Sequence, residues 1–230
     1  MITIIFEPVL TLSVTLLKIS FCDYLLCLVF GRAGQWYQLH ALINLIVTVE
    51  ILPIVYEIIT EPNSGYNINN YYYDSITDYK LNTSYYVIGL HLYHILMFKN
   101  LQLYDWLHHI IFVGVGVVPS MMFIKSNQTV LHKLSCSGIP GIIEYGVLTL
   151  YKKNYVSRYN QKLINSILYT YLRLPLCIFG ATANYLAYMN GTIKDPLWIT
   201  IYVNLLLYLN GTVFTQLTNN SFSKEKYKLL

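Results

Sequence analysis

Charged residues are scarce in this sequence of 230 residues, and that scarcity excludes a water-soluble globular domain. Asp, Glu, Lys and Arg together make up only 11% of the chain, whereas about 25% is usual in soluble proteins. Hydrophobic residues make up 55%, which is more apolar surface than a core of this size can hide from water. The composition therefore predicts an all-α polytopic membrane protein, because backbone groups in lipid must be satisfied within helices.

Cysteine and histidine are too few, or too widely spaced, for several kinds of site. The four cysteines lie inside apolar stretches and form no CxxC pair, so we expect neither a disulfide framework nor a thiolate metal site. The six histidines are too few for the repeated boxes of a membrane di-iron hydroxylase. A zinc ion held by His40, His94 and His108 is a weak alternative, and we predict no metal.

No motif points to nucleotides, nucleic acids or secretion. The sequence has no glycine-rich phosphate loop, and its basic residues flank apolar stretches instead of forming a patch for nucleic acid. Glu7 interrupts the first apolar run, and no basic segment precedes that run, so we expect no cleavable signal peptide. The absence of an inverted repeat makes a transporter a weaker interpretation.

Seven stretches are long and apolar enough, or nearly so, to cross a bilayer as helices of about 20 residues. They are Val9–Phe30, Trp36–Ile59, Tyr85–Phe98, Leu103–Ile124, Val130–Leu150, Leu163–Met189 and Leu197–Leu217. No connecting loop is long enough to form a second domain. The predicted organisation is an N-terminal transmembrane helix over residues 1–31, a main membrane domain over 32–217 and a tail over 218–230.

The basic residues of the loops predict the orientation, because cytosolic loops carry an excess of Lys and Arg. One side of the seven-helix arrangement holds Arg32, Lys99, Lys152, Lys153, Arg158, Lys162, Lys224, Lys226 and Lys228, and the other holds only Lys80, Lys125 and Lys194. We therefore predict a lumenal N-terminus and a cytosolic C-terminus. Glycosylation sequons at Asn82, Asn127 and Asn190 fall on the predicted lumenal side.

The last five residues resemble the KxKxx retrieval signal of endoplasmic reticulum membrane proteins. Lys226 and Lys228 occupy the two lysine positions, on a tail that the charge distribution places in the cytosol. This pattern predicts residence in the endoplasmic reticulum membrane and binding to coat machinery. The alternative is an ordinary basic tail that only maintains the orientation.

Ionisable residues inside membrane helices are costly and usually mark function. His40, His94, Glu144 and Arg173 all fall within the cytosolic half of their predicted helices, so we expect them to contact a substrate. His91 alone is interpreted as a packing residue. Lys18 and Asp23 are interpreted as an interfacial or structural pair.

A second group lies on the fourth predicted helix, where Asp105 precedes His108 and His109 by three and four residues. That spacing places the carboxylate beside both imidazoles, where it can orient them and raise their basicity. We therefore predict His108, His109 and Asp105 as catalytic. The alternative is an interfacial aspartate favoured by the helix dipole, with histidines that only pack.

These residues, taken in order, resemble the TLC-domain family, which includes translocating-chain-associating proteins, longevity-assurance ceramide synthases and a ceroid lipofuscinosis protein. The resemblance covers roughly residues 32–217 and is carried by a series of short segments: Arg32 with Trp36 and Leu39-His40-Ala41, Ile88–His94, Asp105–His109, Ser137–Pro140 and Leu172–Pro175. His94 stands where the family has Asp, and Cys136 stands where it has an acidic residue. The chain is therefore most similar to the short, TLC-only members.

The resemblance implies six helices around a cavity that opens to the cytosol, in which the double histidine handles fatty acyl groups. Three functions follow as expectations. The first is acyl transfer from acyl-CoA, as co-substrate, to a lipid amine or hydroxyl, as in ceramide synthesis. The second is non-catalytic binding of membrane lipids that senses or alters membrane composition. The third is a cargo receptor like the ceroid lipofuscinosis protein.

Overall fold

The computed structural model describes residues 2–66, 79–98 and 109–228, together with 101, 103 and 106, and over this part of the chain the structure is helical without strands. The elements are α1 (Ile2–Phe30), α2 (Gln35–Thr60), the single turn α3 (Pro62–Gly65), α4 (Tyr79–Met97), α5 (His109–Phe123), α6 (Gln128–Cys136), α7 (Ile139–Lys152), α8 (Arg158–Met189) and α9 (Leu197–Tyr227).

Four of these helices are long and apolar enough to cross a membrane, namely α1 from Pro8 onward, α2, α8 and α9. They coincide with the first, second, sixth and seventh predicted spans. Large apolar side chains such as Leu17, Val29 and Tyr56 cover the outside of the bundle, each at least 70% exposed. An apolar exterior over a polar interior is the pattern of a helical membrane protein.

The fifth predicted span, Val130–Leu150, is not one continuous helix, and that prediction is corrected here. The chain leaves helical geometry at Ser137 and Gly138, between α6 and α7. A Cβ atom on Gly138 would lie 2.5 Å from the carbonyl oxygen of Leu134, so only glycine fits this turn. Pro140 then lies in the first turn of α7, where its missing N–H costs nothing.

The third and fourth predicted spans differ in their bounds from the helices of the structure. Tyr85–Phe98 falls on α4, which begins at Tyr79 and ends at Met97. The fourth span, Leu103–Ile124, is described as a helix only over α5. Two helices contain π-helical turns, α5 over His109–Val117 and α8 over Tyr169–Arg173. Such turns occur frequently at functional sites.

Helix α2 occupies the centre of one half of the bundle, where it packs against α1, α4 and α7, while α8 packs along α9 in the other half. Ile19 of α1, Ile43 of α2 and Leu90 of α4 are almost fully buried in one apolar cluster. Asp23 of α1 accepts hydrogen bonds from Gln35 and from Tyr93, at 2.7 and 2.8 Å. These bonds dock α1 on its neighbours, so Asp23 has a structural role.

The sequons differ in how accessible their asparagines are. Asn127 is 5% exposed and donates a 3.0 Å hydrogen bond to the carbonyl oxygen of Gly65, so it is not placed to accept a glycan. Asn190 is exposed at the end of α8. The side chain of Asn82 lies outside the described part of the chain.

Candidate functional site

A cavity of about 420 Å³ lies among α2 and α4–α9. Its size is within the range of about 300–1,000 Å³ that is usual for small-molecule sites. Helix α9 lines it with one face, through Val203, Leu206, Leu207, Asn210, Phe214 and Thr218. At about 1.5 Å per residue, the lining residues of α9 span about 22 Å along the helix axis.

Arg173 is the centre of a polar cluster in the cavity wall, although only 6% of it is exposed. Its Nη1 atom donates to the hydroxyl oxygen of Tyr169 at 2.8 Å and lies 3.4 Å from the Oε2 atom of Glu144. Its Nη2 atom donates to Oδ1 of Asn210 at 2.8 Å. We call Arg173, Glu144, Tyr169 and Asn210 the arginine cluster.

Tyr169 and Arg173 are the first and last residues of the π-helical turn of α8, and both line the cavity. Tyr169 also donates a 2.6 Å hydrogen bond to the carboxylate of Glu144, so this carboxylate contacts both Tyr169 and Arg173. The guanidinium lies against the ring of Phe214 as well, 5.5 Å from its centroid. A paired and stacked guanidinium inside a membrane can recognise an anionic or carbonyl group of a ligand.

Four histidines meet at one end of the bundle, and with Trp36 they form what we call the histidine cluster. They are His40 of α2, His91 and His94 of α4 and His109 of α5, and each is at most 9% exposed. The Nε2 atom of His109 lies 3.2 Å from Nδ1 of His94. Because such a bond needs one N–H and one lone pair, these two rings cannot both be imidazolium ions while it forms.

The remaining contacts of the histidine cluster are between ring faces and edges. Trp36 stacks on His94 at 3.5 Å between centroids and lies 3.9 Å from His40. The His91 ring approaches those of His109 and His40 edge-on, at 5.0 and 5.7 Å. The rings are therefore mutually packed, which fixes their orientations.

His91 has one ring nitrogen with a defined hydrogen-bond role. It lines the cavity, and its Nδ1 atom lies 2.7 Å from the carbonyl oxygen of Val87. A carbonyl oxygen only accepts, so Nδ1 carries the proton and Nε2 of the neutral ring keeps its lone pair. This fixed tautomer is the one that a general base requires.

The predicted site residues divide into three groups. His40, Glu144 and Arg173 line the cavity, as expected of substrate contacts. His94 and His109 lie in the histidine cluster and not among the residues of the cavity wall. Asp105 and His108, the other two predicted catalytic residues, lie outside the described residues.

Sequence reasoning missed a further polar region of the wall, at the opposite end of the cavity from His40. Lys133 is 8% exposed there, and its Nζ atom donates a 2.7 Å hydrogen bond to the hydroxyl of Thr83. Beside it, His132 lies 3.1 Å from Oδ1 of Asn204 and 3.1 Å from Nδ2 of Asn184.

The structure favours no metal centre within the part of the chain that it describes, where no three His, Cys, Asp or Glu side chains are arranged to hold an ion. The four cysteines are free thiols. The charged and titratable side chains that line the cavity include Arg173, Lys133 and His91.

Comparison with known proteins adds no relative: the sequence matches no protein-family model, and neither a curated protein nor a solved structure resembles it significantly.

Proposed function

We propose that this chain binds a lipid inside the membrane, with the acyl chain in the cavity and the polar head beside Arg173 and His91. The composition of the cavity wall carries this proposal. Buried ionisable groups adjoin an apolar stretch formed by Val87, Val113 and Leu207 from three different helices. A wall that is polar in one section and apolar in the next complements an amphiphile.

Residence in the endoplasmic reticulum membrane and a role in lipid metabolism belong to the same proposal. The four long apolar helices support a membrane location. Both Lys226 and Lys228 are exposed at the end of α9, where a receptor for a KxKxx signal has access to them. The resemblance to TLC-domain proteins is the reason for choosing lipids of that membrane as ligands.

Photolabelling with a clickable, photoactivatable fatty acid tests lipid binding directly. Leu206 lines the cavity, whereas its neighbour Leu205 is 53% exposed on the outer surface of α9. We expect Leu206→Trp to fill the cavity and to reduce labelling of the purified protein severalfold, while the matched Leu205→Trp variant labels like the wild type. Equal labelling of both variants would place the lipid on the outer surface and end the proposal.

Acyl transfer is a second candidate function, and the fixed tautomer of His91 favours it. In this reaction Nε2 of His91 takes a proton from a lipid amine or hydroxyl as that group attacks the thioester carbonyl of acyl-CoA. The carbon–sulfur bond breaks, the acyl group joins the nucleophile, and the coenzyme A thiolate leaves and receives the proton. Arg173 holds the carbonyl or the lipid head beside the histidine.

A lipidomic comparison separates this function from binding alone. His91→Asn keeps an N–H that can donate to Val87 but removes the base, so we expect the product lipid to disappear while photolabelling persists. The double variant His108→Ala/His109→Ala tests the predicted pair in the same assay, at matched expression. A lipid profile that is the same for the wild type and for both variants would contradict acyl transfer and leave lipid binding as the proposed function.

A further inference from the structure

Cys136 places a nucleophilic side chain in the wall of the cavity. All four cysteines belong to the described part of the chain, and among them Cys136 lines the cavity. It is the last residue of α6, and Asn44 and Ser137 line the wall beside it. A cysteine thiol is a strong nucleophile that forms covalent intermediates in acyl transfer. Neither lipid binding nor direct acyl transfer uses this thiol.

Contacts between α6 and α8 fix the position of Cys136. The hydroxyl oxygen of Ser135 lies 3.0 Å from the carbonyl oxygen of Leu176, so the residues just before Cys136 and Cys177 are in contact. The two thiols interact across this contact. Cys177 has no exposed surface and is not among the residues of the cavity wall. Of this pair, Cys136 is therefore the thiol that a ligand in the cavity can reach.

Arg173 brings an unused hydrogen-bond donor to the same part of the wall. It precedes Cys177 by four residues on α8, so the two side chains share a face of the helix, and the guanidinium charge acts on the Cys136 thiol. Its two terminal nitrogens bind within the arginine cluster. Its Nε atom is buried and has no hydrogen-bond partner in the part of the chain that the structure describes. A buried N–H without a partner is costly, so it indicates a position where a ligand accepts.

A thiol and an unused guanidinium N–H in one wall are the two groups that transfer from a thioester needs. When a thiolate attacks a thioester, the carbonyl oxygen becomes an oxyanion, which a preorganised donor stabilises. The Nε–H group of Arg173 is such a donor. Its positive charge also favours the thiolate, which is the nucleophilic form of cysteine. Val113 and Val117 of α5 and Leu206 of α9 line the same cavity and provide apolar surface for an acyl chain.

We propose that Cys136 accepts the acyl group of a fatty acyl-CoA and holds it as a thioester on Sγ. The new carbon–sulfur bond forms as the bond to the sulfur of coenzyme A breaks, and the proton of the Cys136 thiol passes to the departing coenzyme A thiolate. A lipid amine or hydroxyl then attacks the acyl-cysteine and takes the acyl group, and its proton restores the thiol. This inference rests on the proposed acyl transfer and names the residue that carries the acyl group between donor and acceptor.

Incubation of the purified protein in detergent with alkyne-tagged palmitoyl-CoA, without an acceptor lipid, tests the inference. The acyl-cysteine then accumulates, because nothing removes the acyl group. Click coupling reveals the label before and after treatment with neutral hydroxylamine, which cleaves thioesters and leaves amides and oxygen esters intact. We expect a label on the wild type that hydroxylamine removes, and mass spectrometry of the peptides is expected to place the acyl group on Cys136.

The variant Cys136→Ala removes the sulfur, so we expect it to lose the hydroxylamine-sensitive label. Photolabelling of this variant by the photoactivatable fatty acid is expected to persist, which shows that the cavity is intact. Cys22→Ala/Cys27→Ala is the matched control, because both cysteines lie on α1 and outside the cavity wall. The control is expected to label like the wild type. If Cys136→Ala does not fold, the peptide map of the wild type still decides the outcome.

The results separate this inference from the proposed function. An acyl group found on Cys22 or Cys27 and not on Cys136, or a label that resists hydroxylamine, overturns the inference. If the wild type forms the product lipid but no thioester on Cys136, the transfer is direct, and acyl transfer stands without the acyl-cysteine. If neither the thioester nor the product lipid forms, acyl transfer fails as well, and photolabelling alone decides lipid binding.

Discussion

Arg173 of α8 and Asn210 of α9 are joined by a hydrogen bond of 2.8 Å between Nη2 and Oδ1. Both residues are at most 6% exposed, and Glu144 of α7 completes the cluster around the same guanidinium. Three helices are therefore held together by one side chain. Because charged groups in a membrane interior need partners, each contact of this arginine contributes to stability as well as to the site.

Replacing Asn210 with leucine is expected to destabilise the protein by about 1.5–3 kcal/mol, the usual value of a hydrogen bond to a charged group. Thermal unfolding in detergent, followed by size-exclusion chromatography, measures the loss. Asn220→Leu is the control, since Asn220 is exposed on the same helix. An Asn210→Leu variant as stable as Asn220→Leu would show that Asn210 does not support Arg173.

The contact between α1 and the rest of the bundle gives a second prediction. Tyr93→Phe removes the 2.8 Å hydrogen bond to Asp23 and leaves the carboxylate with its bond from Gln35. We expect lower thermal stability and faster proteolysis of the connection between α1 and α2. Tyr24, which is 61% exposed, provides the matched substitution Tyr24→Phe. Indistinguishable proteolysis of the two variants would contradict a docking role for Asp23.

Helix packing in the second half of the bundle depends on one glycine. A Cβ atom at Gly211 of α9 would lie 2.7 Å from the Cβ atom of Cys177 on α8, which has no freedom to move aside. Gly211→Ala is therefore expected to cost about 1–3 kcal/mol through overpacking. Gly146, on α7, has open space at the same position, so Gly146→Ala should be neutral or slightly stabilising. The opposite order of stabilities would refute the close approach of α8 and α9.

The C-terminal lysines give a prediction in cells. Substitution of Lys226 and Lys228 by serine is expected to release the protein from the endoplasmic reticulum, because both positions of the KxKxx pattern are lost. Lys224→Ser removes a basic residue from the same end of α9 and keeps that pattern. Fluorescence microscopy of tagged proteins measures the distribution. Retention of the double variant in the endoplasmic reticulum would make the tail an ordinary basic flank.

The long helices were predictable from the sequence because each is a continuous apolar run of sufficient length. The break after α6 was missed because the predicted span Val130–Leu150 runs through Gly138 and Pro140, the two residues that mark it. Arg173 was predicted because a charge at its depth has few explanations other than function. Seven spans and a TLC-type bundle remain predictions.

The role proposed for His91 was not predictable, and the reason is physical. A single histidine on an apolar helix is equally consistent with packing, and its tautomer depends on the carbonyl of Val87 one turn earlier. Its place in the cavity depends on how α4 packs against α2 and α5, which no local pattern specifies. The sequence analysis did not assign Lys133 to the site, because only the tertiary structure brings this residue into the cavity wall.

The π-helical turn over Tyr169–Arg173 has a consequence for how α8 tolerates changes in length. A π turn accommodates one residue more than an α turn does, so the segments before and after it are offset in phase by about 100° relative to an unbroken helix. Deletion of one residue from this turn would let α8 become a regular α-helix. Arg173 would then rotate away from Glu144. The later turns of α8 would move into a different register against α9. Families of related chains should therefore gain or lose this turn and the buried arginine together.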